Sequence, residues 1–198
     1  MENVTYIEGG KKNKFLRSLE RDPVFLKNVN KQQLLYQGST VIELGENDYS
    51  DEDVILITSP LQHESYEVHK EGEGLLYAFV QKDSKKVLKL AYFFMESDVV
   101  DYKDFDQNGT LMIHKEFNSQ DFLNGKTDNA ITHYSVYDDV SLQNVDKDSF
   151  WYKFVCGFSG LFTCNLGCAG FWAVPGGGMP LYTMCMTACQ LFWGAGLC

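Results

Sequence analysis

The first 155 residues contain no cysteine, and no side chain after Lys153 carries a charge. The first absence rules out any disulfide framework in the larger part of the chain. The second rules out a solvated, salt-bridge-laced helix in the smaller part. Clustered bases are missing too: seventeen Lys and Arg stand against twenty-seven Asp and Glu, and all but Lys153 of the bases share residues 1–150 with every acid, a net of -11 there. Phosphate contacts need clustered cations, so this balance excludes nucleic acid as a partner. The segment from Met1 to Glu8 has neither a basic n-region nor an apolar h-region, so no signal peptide is visible. Gly9-Gly10 is the one pair there that an exporter's processing protease could read, against an ordinary flexible start. No Gly-rich phosphate loop occurs, and the stretch from Gly157 to Gly160 lacks a nucleophile-elbow pattern. Nothing nominates an enzyme or calls for a cofactor.

All six cysteines fall between positions 156 and 198. Random placement would do this on the order of 1 time in 10,000. The chain therefore divides into an acidic domain over 1–140, a polar-then-aromatic linker with a cleavage site expected within 141–155, and a cysteine-rich segment over 156–198. A short cysteine-dense stretch has the composition of a secreted peptide that lacks core enough to fold unaided.

In the acidic domain, Phe15, Leu16, Leu19, Phe25, Leu26, Val29, Leu34 and Leu35 recur at helical spacing, so residues 11–36 predict helix, broken before Pro23. After Gly38 the period becomes two. Strands are predicted at 40–44, 54–58, 65–69, 75–81, 87–94, 110–114 and 130–137, with a hairpin at 82–86. The expected fold class is α+β: a small helical lead-in plus an antiparallel β-sheet, followed by a disulfide-stapled apolar α-helical hairpin.

The hairpin expectation rests on spacing. Cys164 and Cys168 are four apart, as are Cys185 and Cys189, so each pair shares one face of a helix. Between them, Pro175, Gly176, Gly177, Gly178 and Pro180 cannot continue a helix. Nested rungs fit this arrangement: Cys156 with Cys198, Cys164 with Cys189, and Cys168 with Cys185. Helices of about 16 to 18 residues are roughly 24 to 27 Å long, a little short of a bilayer's hydrocarbon core. Phe158, Phe162, Phe171, Trp172, Leu191, Phe192 and Trp193 exceed what a two-helix interior can hold, so they are expected to face outward into a membrane. The bland alternative is a hydrophobic subdomain docked on the acidic domain with its cysteines merely buried. Zinc does not suit the tail, which lacks histidine.

Cys164-Asn165-Leu166-Gly167-Cys168, followed by Ala169-Gly170-Phe171, and the terminal Ala195-Gly196-Leu197-Cys198 resemble the cysteine-rich halocin family of antimicrobial peptides. The resemblance covers about a fifth of the chain. It implies a bacteriocin precursor whose C-terminal peptide is exported, released by a protease and secreted, and then attacks the target-cell membrane, with residues 1 to about 150 as its mask. Two rival readings stand beside it: a membrane-anchored binding or regulatory protein, and a self-protection module that acts while attached.

Asp104, Asp106 and Asn108, with Gly109, copy the opening of a calcium-binding loop. The acid due at the twelfth position is Lys115, with Glu116 one residue late, so an acidic β-turn is the competing account. His63, His69, His114 and His133 are scattered without helical metal-ligand spacing, which favours satisfied or exposed histidines.

Overall fold

The computed structural model describes residues 4–29, 32–44, 53–63, 73–96, 98–124 and 129–135, and in the cysteine-rich segment Cys168, Cys185, Met186 and Cys189. In chain order the elements are β1 (Val4–Tyr6), α1 (Gly9–Glu20), α2 (Pro23–Asn28), β2 (Gln32–Leu34), β3 (Thr40–Leu44), β4 (Val54–His63), β5 (Glu73–Gln81), β6 (Val87–Glu96), β7 (Val99–Asp106), β8 (Leu111–Asn118), α3 (Ser119–Leu123) and β9 (Ile131–Ser135). The strands form one open antiparallel sheet in the order β1-β3-β4-β5-β6-β7-β8-β9, with β2 pairing the far end of β4.

Local chemistry explains the helical start. Asp22 caps α2 by accepting from the Val24 amide at 2.8 Å, and Pro23 opens the helix where its missing N–H costs nothing. The second oxygen of Asp22 accepts from the Val87 amide at 3.1 Å, tying this cap to β6. Lys27 donates to the Gly109 carbonyl at 2.9 Å, so α2 also grips the β7–β8 turn. Leu16, Leu19, Val24, Phe25 and Val29 then pack on Ile55, Ile57, Leu76, Ala78 and Leu90, the residues on one face of the sheet.

The alternate residues of the same strands face the other way. Leu56, Leu75, Tyr77, Phe79, Phe93, Val100 and Tyr102 make a second core with Phe122 of α3 and with Cys168, Cys185 and Cys189. Both faces of β4 and β5 are therefore buried. That is why Val54–Ile57 and Leu75–Val80 read as unbroken apolar runs instead of the alternation expected of a half-solvated sheet.

This architecture corrects the expected fold class. Among the described residues the chain is predominantly an antiparallel open sheet with few helices, and no apolar helical hairpin stands among the described elements. Two physical reasons account for the difference. The helical period expected to run to 36 stops at Asn28, and Leu34 goes into β2 opposite Leu61, leaving Leu35 exposed. The described cysteines are fully buried in the core on one face of the sheet. No described helix is long and apolar enough to cross a membrane.

Candidate functional site

The sheet face that holds the cysteines is where the two compositions of the chain meet. Tyr77 sits at its centre in β5, opposite Thr58 of β4 and Ala91 of β6. Its ring stacks against Phe93 at 6.4 Å between centroids, Phe93 meets Phe122 at 5.5 Å, and Phe122 meets Phe117 at 5.1 Å. These rings make a continuous aromatic floor.

On that floor, Cys168 and Cys185 are joined by a disulfide with their Cα atoms 5.7 Å apart. Cys189 is disulfide-bonded as well. The Tyr77 hydroxyl donates to the Cys185 carbonyl at 2.6 Å, across 108 residues of sequence. Burial pushes the Tyr77 phenol well above its ordinary range, so it stays a neutral donor wherever the protein is folded. Among the described residues, this hydrogen bond and a shared apolar core attach the cysteine-rich segment to the sheet. Together they give position through the first and affinity through the second.

A second polar feature lies on this face. Asp104 of β7, opposite Ala91, is fully buried, and Lys89 of β6 reaches it with an N–O distance of 2.8 Å. Among the described residues, Oδ1 of Asp104 has no hydrogen-bond partner. Burial raises its pKa above the usual carboxylate range, with the nearby Lys89 charge opposing this. The folded protein therefore holds the Asp104 proton more tightly than the unfolded chain does. Its contribution to stability is least favourable at pH above that raised value and improves as pH falls through the carboxylate range. Relative to Asp104→Asn, the wild type should gain urea stability as pH falls from neutral toward the ordinary aspartate pKa of about 4; a difference that shrank toward acid would mean that Lys89 dominates.

The three residues of the calcium-like pattern are not brought to one point. Asp104 is committed to Lys89 inside the core, whereas Asp106 accepts from the Asn108 and Thr110 amides at 2.9 and 2.8 Å in an exposed turn. Gly109 follows with φ +71°, the left-handed conformation this turn demands. Cys156, Cys164, Cys198, the linker at 141–155 and the expected membrane-facing residues Phe158, Phe162, Phe171, Trp172, Leu191, Phe192 and Trp193 lie outside the described residues. So does His69, while His63 ends β4.

Reading the sequence alone missed Tyr77, Phe93 and the Lys89–Asp104 pair. The signal for the first was the unbroken run in β5 and for the second the apolar run Leu90–Met95 in β6, each of which demands a cover for both faces. The buried pair had no such signal, because its members are 15 residues apart and meet only through the β6–β7 register.

A family model described as "Gpos_C8-like: Putative immunity protein/bacteriocin" matches residues 36–197, about four-fifths of the chain. The chain belongs to this family. The Gpos_C8-like match runs through β3 to β9 and on past Cys189, so the cysteine-bearing segment and the sheet that holds it fall within one family unit. A bacteriocin-related role follows from that membership. No curated protein and no solved structure matches the chain.

Proposed function

We propose that the protein is a bacteriocin precursor of halocin-like type, in which the acidic sheet domain stores the C-terminal disulfide-bonded peptide on its Tyr77 face until a protease cuts within 141–155. The observation that carries this reading is the seating of Cys168, Cys185 and Cys189 in the sheet's core, with the Cys185 carbonyl held by Tyr77. A segment without charge and with many large rings needs cover in water, and a sheet face with an aromatic floor supplies it. Released from that cover, the same apolar side chains become the means of attacking a competitor's membrane. Secretion through an exporter and processing by a protease belong to this reading. While the peptide remains attached, the sheet also protects the producing cell, which unites the immunity and bacteriocin words of the family description in one chain.

Culture supernatant of a producer should contain a fragment beginning within 141–156 that is six hydrogens lighter than its reduced mass, and this fragment should kill sensitive cells while the uncut chain does not. If only intact, cell-bound protein is found, the precursor reading fails. Intact protein that spans or coats a membrane would favour an anchored regulatory protein instead.

A further inference from the structure

We propose that His114, Glu116 and His133 form a binding site for a first-row transition-metal dication, zinc being the probe that fits best, on the outer strands of the sheet away from the cysteine-bearing face. The inference stands apart from the bacteriocin reading.

The backbone builds this cluster through an irregularity. His114 and Glu116 are two apart in β8 and so share one face, while Ile113 and Phe117 turn to the cysteine-bearing core. Extending the register of Ile113 and His114 would set His133 opposite Lys115, on the other side, whereas extending that of Lys115 and Glu116 would set it opposite His114. The observed register pairs His114 with Tyr134 and Lys115 with Thr132, so His133 is the extra residue of a β-bulge. Bulges re-aim side chains. This one brings the His133 ring to 4.6 Å from that of His114, centroid to centroid, and its Nε2 to 3.1 Å from Oε2 of Glu116.

One ligand atom from each of the three residues lies within 4.8 Å of the other two. Ligand atoms around tetrahedral zinc stand about 3.3 Å apart, given bonds of roughly 2.0 to 2.1 Å, so small side-chain rotations close the site. The side chains are 23% to 41% exposed, which leaves the cation a path and an open coordination position for water.

A fourth residue supports the assignment. Asp101 of β7 places Oδ1 at 2.8 Å from Nε2 of His114, which leaves Nδ1 as the ligating nitrogen. A carboxylate behind a histidine fixes its ring and raises its basicity, as in carboxylate–histidine–metal arrangements. Lys103, opposite His114 in the β7–β8 register, is the one cation on this face near the cluster among the described residues, and it is held on the other Asp101 oxygen at 2.5 Å. With neutral imidazoles the group of five residues carries a net single negative charge, which favours a dication. Two nitrogens and one carboxylate oxygen select zinc, copper or nickel over calcium or magnesium. A bound ion would strap the edge strand β9 to β8.

The test is titration of the oxidised full-length chain with zinc chloride, followed by calorimetry and, with cobalt(II) in its place, by visible absorption. One equivalent should bind with a micromolar Kd, and cobalt should give the intense visible bands of a tetrahedral centre. His114→Ala and His133→Ala should each weaken zinc at least tenfold, and Asp101→Asn about tenfold. His133→Gln keeps the size of the edge residue and should lose zinc equally, which separates loss of a ligand from loss of β9. Zinc should slow amide exchange over 131–135 in the wild type and not in His133→Gln. No saturable binding overturns the proposal, as does binding that survives the histidine substitutions or that millimolar calcium displaces.

Discussion

A chain ending at residue 140 should fail to fold into a soluble monomer. In the full chain Leu56, Leu75, Tyr77, Phe79, Phe93 and Val100 are all at most 1% exposed, on the face that holds Cys168, Cys185 and Cys189. Fully burying such a side chain is worth about 1.5 to 3 kcal/mol, so uncovering four of them forfeits on the order of 6 to 12 kcal/mol. That is comparable to the whole stability of a typical domain, about 5 to 15 kcal/mol. The truncated chain should therefore bind a hydrophobic dye, sediment as aggregates and lack a cooperative melt. If it melts cooperatively within a few degrees of the full chain, the cysteine-bearing segment is not structural cover, and the storage reading loses its physical basis.

The same energetics constrain release. With a protease site inserted in 141–155, cutting should leave the peptide bound to the sheet, and both pieces should co-elute on gel filtration at neutral pH. Tyr77→Phe removes the hydroxyl that donates to the Cys185 carbonyl, a hydrogen bond worth about 0.5 to 1.5 kcal/mol, and should raise the fraction of cut peptide that departs. Release from the wild type then requires a competing apolar surface, such as a lipid bilayer, and not proteolysis alone. Peptide that leaves the sheet in plain buffer as soon as it is cut would show that the linker, and not the aromatic floor, retains it.

Much of the sheet was legible because its strands carry distinct marks. Period-two segments at β3, β6 and β8 and the polar Lys82–Lys86 turn between β5 and β6 follow directly from residue pattern. β7 was hidden by its own composition. Asp101, Lys103, Asp104 and Asp106 look like a ligand-bearing loop, yet the alternating burial of Val100, Tyr102 and Asp104 makes a strand of them. Asp104 is tolerated in a core only because Lys89 arrives from the neighbouring strand, a relation that sequence spacing does not express. The histidine cluster was illegible for a similar reason. His114 and His133 are 19 residues apart, and a bulge, not a period, brings them to one face. For the cysteine-rich segment the composition marks apolar surface in need of a partner, and both a bilayer and docking on the acidic domain stood open; the described cysteines lie in the sheet's core. The unbroken runs Val54–Ile57 and Leu75–Val80 already required cover on both faces of the sheet, and the α1–α2 pair covers one of them.

Replacing both Cys168 and Cys185 by Ala should cost the full chain about 4 to 5 kcal/mol. The bridge closes a loop with a sequence separation of 17, and a loop of about 15 residues is worth roughly 3 kcal/mol in the chain-entropy account. Both sulfurs are fully buried, so each deletion also leaves a methyl-sized void costing about 1 kcal/mol. For a chain of this size the midpoint of thermal unfolding should fall by about 8 to 20 °C, since each kcal/mol shifts it by roughly 2 to 4 °C. The single variant Cys168→Ala should lose nearly as much, because either substitution opens the loop, and its partner would become a free thiol beneath the segment. Reductant added to the wild type should cost more than the loop contribution of this bridge alone, because it opens the Cys189 bridge as well. A double variant no less stable than the wild type would mean that this bridge adds nothing to the shared core. The expected loss would instead mean that oxidation and docking reinforce one another, each ordering the segment in the conformation the other needs, so that the reduced chain holds its cysteine-rich segment more loosely than the oxidised one.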